Sequence, residues 1–277
     1  MKTRAFTALA ATCLLGLTGA TAAMAADEQE GADIKETIVR YKAAIGVNPK
    51  NPTTRVRLGR AYLMDKNPDL AIEQFKEAIK LKSDDVEAYI LLSRALHLKG
   101  DLNGALTQLK SASKVAPDNY EVHYKMALIL SRQNKMDDAV GEFRHAIKLK
   151  GDYAPAHRDL GAALGLKGDL DGQIAEEKKA LELQPQDGDT YFYLGSAFAE
   201  KGDKAQAATN LQRCVELDKK NAEAFRLLAG VQAAQGNFPQ ALKCAKTACD
   251  LAPSNPDYKS TLDRIQAKMQ GGSDKAK

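Results

Sequence analysis

Between Val86 and Asn119 the apolar side chains fall at Tyr89, Leu92 and Leu96, then at Ala105, Leu109 and Ala112. Steps of three and four residues place each set on one helical face, so the segment predicts two amphipathic helices flanking Gly100. Gly100 suits the left-handed conformation that ends a helix, Asp101 can cap the next one, and Pro117 stops it. The same pattern then recurs along the chain. Leu58, Leu92, Met126, Leu160, Leu194 and Leu228 stand 34 residues apart, each followed by a small residue: Gly59, Ser93, Ala127, Gly161, Gly195 and Ala229. Two further series keep the step: Ala71, Ala105, Ala139, Gln173, Ala207, Ala241, and Ala78, Ala112, Ala146, Ala180, Cys214, Ala248. A fixed period without insertion signals a repeat array. A single hairpin of this size cannot bury its apolar face, so neighbours must stack into a continuous core.

The predicted fold is therefore all-α: an α-solenoid, a superhelix of stacked helix-turn-helix repeats. Six repeats run over 52–85, 86–119, 120–153, 154–187, 188–221 and 222–255. Ahead of them, 33–51 reads as a second helix alone, with Tyr41, Ala44 and Pro49 in register. Behind them, 256–270 reads as a closing helix with Leu262 and Ile265 turned inward. Residues 26–32 and 271–277 are expected to be flexible ends.

Residues 1–25 have the form of a secretory signal peptide. Lys2 and Arg4 make a basic opening, the run from Ala5 to Leu17 is uncharged and largely apolar, and Ala23-Met24-Ala25 is a small-residue site with cleavage expected after Ala25. That predicts a periplasmic or secreted protein with no stable membrane insertion once the leader is removed; an uncleaved leader would instead act as an anchor. Ala10-Ala11-Thr12 before Cys13, with apolar residues continuing beyond, is a poor lipid-attachment motif. Charged residues make up 27% of the chain, and the formal charge is +4 from 40 basic and 36 acidic residues. Losing Lys2 and Arg4 brings the balance nearer zero, which offers nothing for nucleic-acid wrapping or a polybasic membrane clamp. Beyond the leader, Cys214, Cys244 and Cys249 are too few for a disulfide-built scaffold. All three read as small packing residues, and an oxidising compartment leaves open a link from Cys214 to one of the others.

Enzymatic chemistry finds no support in the motifs. The sequence holds no G-x-S-x-G, H-E-x-x-H, C-x-x-C or phosphate-cradling glycine loop, so no catalytic residue, metal site or cofactor is expected. His123 and His157 share one slot of successive repeats and read as packing residues. The fourth repeat breaks the pattern: Gln173 and Glu177 stand where Ala and an aromatic are expected, with His157 facing them. Either that helix tilts outward, or the three polar groups satisfy one another.

The Leu-Gly pair, the following aromatic or aliphatic position (Tyr62, Leu96, Leu130, Leu164, Phe198), the second-helix Ala and aromatic (Ala71 and Phe75; Ala139 and Phe143) and the terminal proline together resemble the tetratricopeptide repeat (TPR) family. The resemblance covers nearly all of the chain after the leader, and by it the protein reads as an exported bacterial member. In that family the first helices of successive repeats line a concave groove where partner peptides lie. Carried onto this chain, the groove residues are Arg57, Arg60, Arg94, His97, Tyr124, Lys125, Arg132 and Arg158, then Phe192, Tyr193, Ser196 and Arg226. Arginines gather toward the N-terminal half and suit bidentate capture of carboxylates. Small residues such as Ala162, Gly165, Ala199, Gly230 and Ala233 line the other half, with Phe192 and Tyr193 as anchors. The Lys and Asn clamp of chaperone-docking members is not reproduced, since its places hold residues such as Val56, Arg60 and Leu91. The resemblance thus implies a non-enzymatic scaffold of the cell envelope that binds a protein or peptide partner, with an acidic segment toward the arginines. Alternatives are a chaperone-like holder of exported clients and a regulatory or adaptor subunit of an envelope enzyme complex.

Overall fold

The protein is represented by a computed structural model that describes residues 34–273. The expected leader at 1–25, the stretch 26–32 and the last four residues lie outside the described part. All fourteen described elements are helices: α1 (Ile34–Val47), α2 (Pro52–Met64), α3 (Pro68–Leu81), α4 (Val86–Leu98), α5 (Leu102–Val115), α6 (Tyr120–Arg132), α7 (Met136–Leu149), α8 (Ala154–Leu166), α9 (Leu170–Leu183), α10 (Gly188–Lys201), α11 (Lys204–Leu217), α12 (Ala222–Ala234), α13 (Phe238–Leu251) and α14 (Pro256–Ser273). They form two compact units, one ending at Gly151 and one beginning at Asp152.

In the N-terminal unit the hairpins α2–α3, α4–α5 and α6–α7 each pack internally, and each second helix packs on the first helix of the next pair. The lone helix α1 closes the first hairpin by packing on α2, with Ile38 buried beside Val56, Leu58 and Tyr62. The C-terminal unit repeats the plan with α8–α9, α10–α11 and α12–α13, closed by α14 through buried Ile265 and half-buried Leu262. Helix α14 continues to Ser273, beyond the Gln270 end read from the sequence. Gly271 and Gly272 make that last turn costly without forbidding it.

Local chemistry explains the hairpins. In every repeat the same turn residue takes a positive φ: Gly100, Gly168, Gly202 and Gly236 near +82°, but Lys66 at 59° and Asn134 at 60°. Asp101, Asp169 and Asp203 each accept the backbone N–H three residues on, at 2.7, 2.9 and 3.0 Å, capping α5, α9 and α11. Ala71, Ala78, Ala105, Ala112, Ala139 and Ala146 are fully enclosed where the paired helices cross. The crossing also needs a small residue in the first helix. A Cβ at Gly59 would stand 2.5 Å from the Phe75 ring, and one at Gly195 would stand 2.7 Å from Leu211 Cγ.

Candidate functional site

The N-terminal unit brings four of the sequence-derived site residues together. Arg60 and Arg94 occupy the same slot of α2 and α4, both half-buried. Burial pushes the Arg94 guanidinium below its ordinary value, and the positive charge of Arg60 pushes the same way. Even so lowered, an arginine stays charged at neutral pH. His97, at the end of α4, is shifted downward by burial and by Arg132 at the end of α6. It is therefore a neutral imidazole set among cations at pH 7. Burial also lowers Arg132. Arg60 is held across the helix pair by Glu87 at the start of α4. Arg57 is exposed on α2, and Lys125 pairs with Glu121 at 3.4 Å one turn back. Helix α2 contributes Arg55, Arg57 and Arg60 and no carboxylate.

The C-terminal unit treats its arginines differently. Arg158 Nε donates to Asp159 Oδ1 at 2.9 Å and its Nη1 to Asp187 Oδ2 at 3.3 Å, with the guanidinium and Asp159 almost wholly enclosed. Asp187 also caps α10 and accepts the Thr190 hydroxyl at 2.8 Å. Arg226, in the same slot two repeats on, grips Glu223 through Nε at 2.8 Å and through a second guanidinium nitrogen. That hydrogen bond raises its pKa against the opposing effect of burial. Both arginines are neutralised within the fold and do not continue a cationic line.

Three residues expected to line an open groove are enclosed instead. Tyr124 is 4% exposed and tilts against Phe143 at 5.9 Å between ring centroids; Phe192 is 3% exposed and Ser196 6%. Phe192 meets the half-buried Tyr193 edge to face at 5.7 Å. Tyr193 alone of that pair keeps exposed surface, because residues five places into a first helix pack within the stack while their neighbours point outward.

Neither account of the irregular fourth repeat survives. Helix α9 does not tilt out: Gln173 is 3% exposed and Glu177 wholly enclosed. The three groups do not satisfy one another either. Gln173 Nε2 donates to the Tyr193 carbonyl at 3.2 Å, His157 Nδ1 lies 2.7 Å from Glu176 Oε2, and neither Glu177 oxygen has a hydrogen-bond partner. The reason is room. The Glu177 carboxyl fills the space beside Gly161, where a Cβ would come within 2.8 Å of it. Burial raises its pKa well above the usual carboxylate range; nearby Arg158 opposes this, while Asp159, Asp187 and Glu176 reinforce it.

His123 and His157 are buried, and each has an acidic partner the sequence reading missed. His123 Nδ1 lies 2.7 Å from Glu142 Oε2, the same arrangement as His157 with Glu176 one repeat later. The His123 ring also stacks on His145 at 4.0 Å. The described residues contain no group of three His, Cys, Asp or Glu side chains placed to hold a metal ion, and none of their helices is long and apolar enough to cross a membrane. Cys214, Cys244 and Cys249 are free thiols. Burial, with Asp189, Asp218 and Asp187 nearby, pushes Cys214 up to about 12.

Stacked hairpins with an alanine-lined crossing and a recurring left-handed turn define a helical-repeat protein. Tetratricopeptide repeat profiles match residues 62–129, 124–188 and 192–256, together well over half of the 277 residues, and the chain belongs to the tetratricopeptide repeat family. Its fold is the all-α solenoid of that family, whose members generally mediate protein–protein interaction and are typically non-enzymatic. No curated protein matches the sequence. Among solved structures, the chain resembles the Cut9-Hcn1 hetero-tetramer of APC/C (TM-score 0.68, 15% identity), covering 84% of this chain and 46% of that one. It thus spans a little under half of that relative's length. It also resembles Pseudomonas aeruginosa pilF (TM-score 0.70, 14% identity, 77% of this chain and 97% of that one) and YrrB, described as a TPR protein with an unusual peptide-binding site (TM-score 0.59, 21% identity, 69% and 99%). At these identities the likeness is one of fold.

Proposed function

We propose that the protein is a non-enzymatic scaffold, exported to the cell envelope, whose N-terminal unit binds an acidic segment of a partner polypeptide along the face of Arg60, Arg94 and Arg132. The observation that carries this reading is the half-buried run of like charges on successive first helices. The charge of Arg60 bears on half-buried Arg94, and an incoming carboxylate offsets that repulsion. Arg158 and Arg226 are held by Asp159, Asp187 and Glu223, as Arg60 is by Glu87. YrrB, similar in fold, is described as having a peptide-binding site, and a peptide is the ligand class proposed for this chain. Export rests on the leader pattern of residues 1–25. A holder of unfolded clients would want open apolar surface, whereas Tyr124 in the same unit is enclosed, which favours the scaffold.

The test is capture of partners from envelope extract by the wild-type protein and by the triple variant Arg57→Glu, Arg60→Glu, Arg94→Glu, with mass spectrometry of both. One stoichiometric partner held by the wild type and lost from the variant is the expected result. Equal recovery on both, or a broad spectrum of clients on both, would remove the electrostatic reading.

A further inference from the structure

Helix α1 is a second helix without a first. Its residues stand 34 places ahead of those of α3. It packs on α2 as α3 packs on α4, with Ile38 and Ile45 in the slots of Ile72 and Ile79. The other side of a second helix belongs to the first helix of its own hairpin, and three slots meet it there. In all six later second helices those slots are enclosed to 3% exposure or less, as Ala71, Phe75 and Ala78 are in α3. On α1 the same slots hold Thr37 and Tyr41, both half-buried, and Ala44, which is exposed. The end of the stripe agrees: Val47 is 88% exposed, whereas Leu81 and Val115 in its slot are 40% and 39%. No first helix stands ahead of α1 among the described residues.

The later hairpins define what such a face receives. Opposite the aromatic slot stands a small residue, because a Cβ at Gly59 would lie 2.5 Å from the Phe75 ring. Tyr41, in the slot of Phe75, asks the same of whatever covers it. Beside this crossing lies a polar pair 19 residues apart. Arg55 Nη1 donates to Gln74 Oε1 at 3.4 Å, and His123 and His157 meet Glu142 and Glu176 at 2.7 Å. In each pair the second helix supplies the acceptor. On α1 that slot holds Arg40, exposed and lying over the Tyr41 ring at 5.7 Å from its centroid. The polarity is reversed, so the covering helix must bring the carboxylate. The matching helix therefore carries Asp or Glu, then Leu three residues on, then Gly or Ala. A second copy does not supply it. Helix α14 stands in the first-helix register with Lys259, Leu262 and Asp263 in those places. That sets a cation against Arg40 and a carboxylate where the small residue is needed.

We propose that the open face of α1 docks an amphipathic helix of a partner protein, with an acidic residue on Arg40 and Gly or Ala against Tyr41, completing the first hairpin. This surface lies on the side of α1 that does not pack on α2, and it does not depend on the Arg60–Arg94 face. Docking gives Tyr41, Ala44 and Val47 the cover that each later second helix receives from its own chain.

The probe is the 13-residue sequence of α8 carrying His157→Glu, so that a carboxylate precedes Leu160 and Gly161 at the required spacing. Isolated helices of this length are marginal in water, so the probe is locked by a staple and labelled. Its affinity is measured for the full chain and for the variants Arg40→Glu and Ala44→Gln, while the methyl NMR signals of Ala44 and Val47 are followed. Binding is expected to move both methyl signals, to weaken about tenfold in Arg40→Glu, and to weaken in Ala44→Gln, which fills the crossing. A probe carrying His157→Lys instead is expected to prefer Arg40→Glu over the wild type, a reversal that loss of fold would not give. No binding by the wild type, equal binding by all three chains, or absence of the reversal would overturn the proposal. Methyl signals that move with protein concentration alone would put a second copy on the face. Signals that move when the residues ahead of Ile34 are deleted would put the chain's own preceding residues there. Either result contradicts a partner helix.

Discussion

A carboxyl enclosed on every side with both oxygens unpartnered is a liability that a protein carries only if the proton stays on. Glu177 is in that position, and the sign of its pH dependence follows. Its folded-state pKa lies above the unfolded value. Its contribution to stability is therefore fully present below the ordinary carboxylate range and is lost as pH rises through the folded-state value, because the unfolded chain releases its proton first. Glu177→Leu is expected to stabilise the C-terminal unit by about 1–3 kcal/mol at neutral pH, with an advantage in urea unfolding that grows as pH rises above the ordinary carboxylate range. An unchanged or reduced stability would mean the carboxyl has a partner after all. Some of this residue-scale chemistry was open to a sequence reader. His123 with Glu142 and His157 with Glu176 share a 19-residue spacing displaced by one repeat, so a periodic search for ion pairs finds both. The fate of Glu177 was not legible in that way. It adjoins Glu176, and a rotation of about 100° between neighbours on a helix sends one carboxyl to His157 and the other into the crossing.

At the scale of elements, the turn inside each hairpin is the point of greatest local demand. Four repeats meet it with glycine and two do not. Lys66 holds a conformation that costs an L-residue roughly 1–2 kcal/mol, whereas Asn134 tolerates it better. Lys66→Gly is accordingly expected to raise the stability of the N-terminal unit by about 1 kcal/mol and Asn134→Gly by less. The midpoints of chemical unfolding check both, and a Lys66→Gly protein no more stable than wild type would contradict the strain. The close crossings give the opposite sign: Gly59→Ala forces a methyl into the Phe75 ring and is expected to cost about 1–3 kcal/mol. Hairpin boundaries were readable because Gly, Asp and Pro each carry a backbone reason for their place. Lys66 and Asn134 were readable only by register, through alignment with the glycines 34 residues away. The enclosure of Tyr124 and Phe192 was not. Periodicity assigns a face to a residue, but how deeply the adjoining helices cover that face depends on packing beyond its own helix.

At the scale of the whole molecule, each unit carries its own electrostatic character on its first helices. In the N-terminal unit Arg60 is paired with Glu87 while its charge still bears on half-buried Arg94, and in the C-terminal unit Arg158 and Arg226 are tied to Asp159, Asp187 and Glu223. The 34-residue spacing made the array plain from sequence, and the gathering of arginines in α2 and α4 could be listed. Glu223, three residues before Arg226, and Asp159, next to Arg158, were also within reach of a sequence reader, whereas Asp187, 29 residues from Arg158, is brought alongside only by the packing of successive repeats. The most direct measurement is therefore calorimetric titration of the wild-type protein and of the double variant Arg60→Glu, Arg94→Glu with hexaglutamate, at 50 and 300 mM salt. The account predicts binding by the wild type that weakens with salt and falls at least about tenfold in the variant, the loss of one or two charge-assisted pairs. Equal affinity in the two proteins, or binding indifferent to salt, would contradict it.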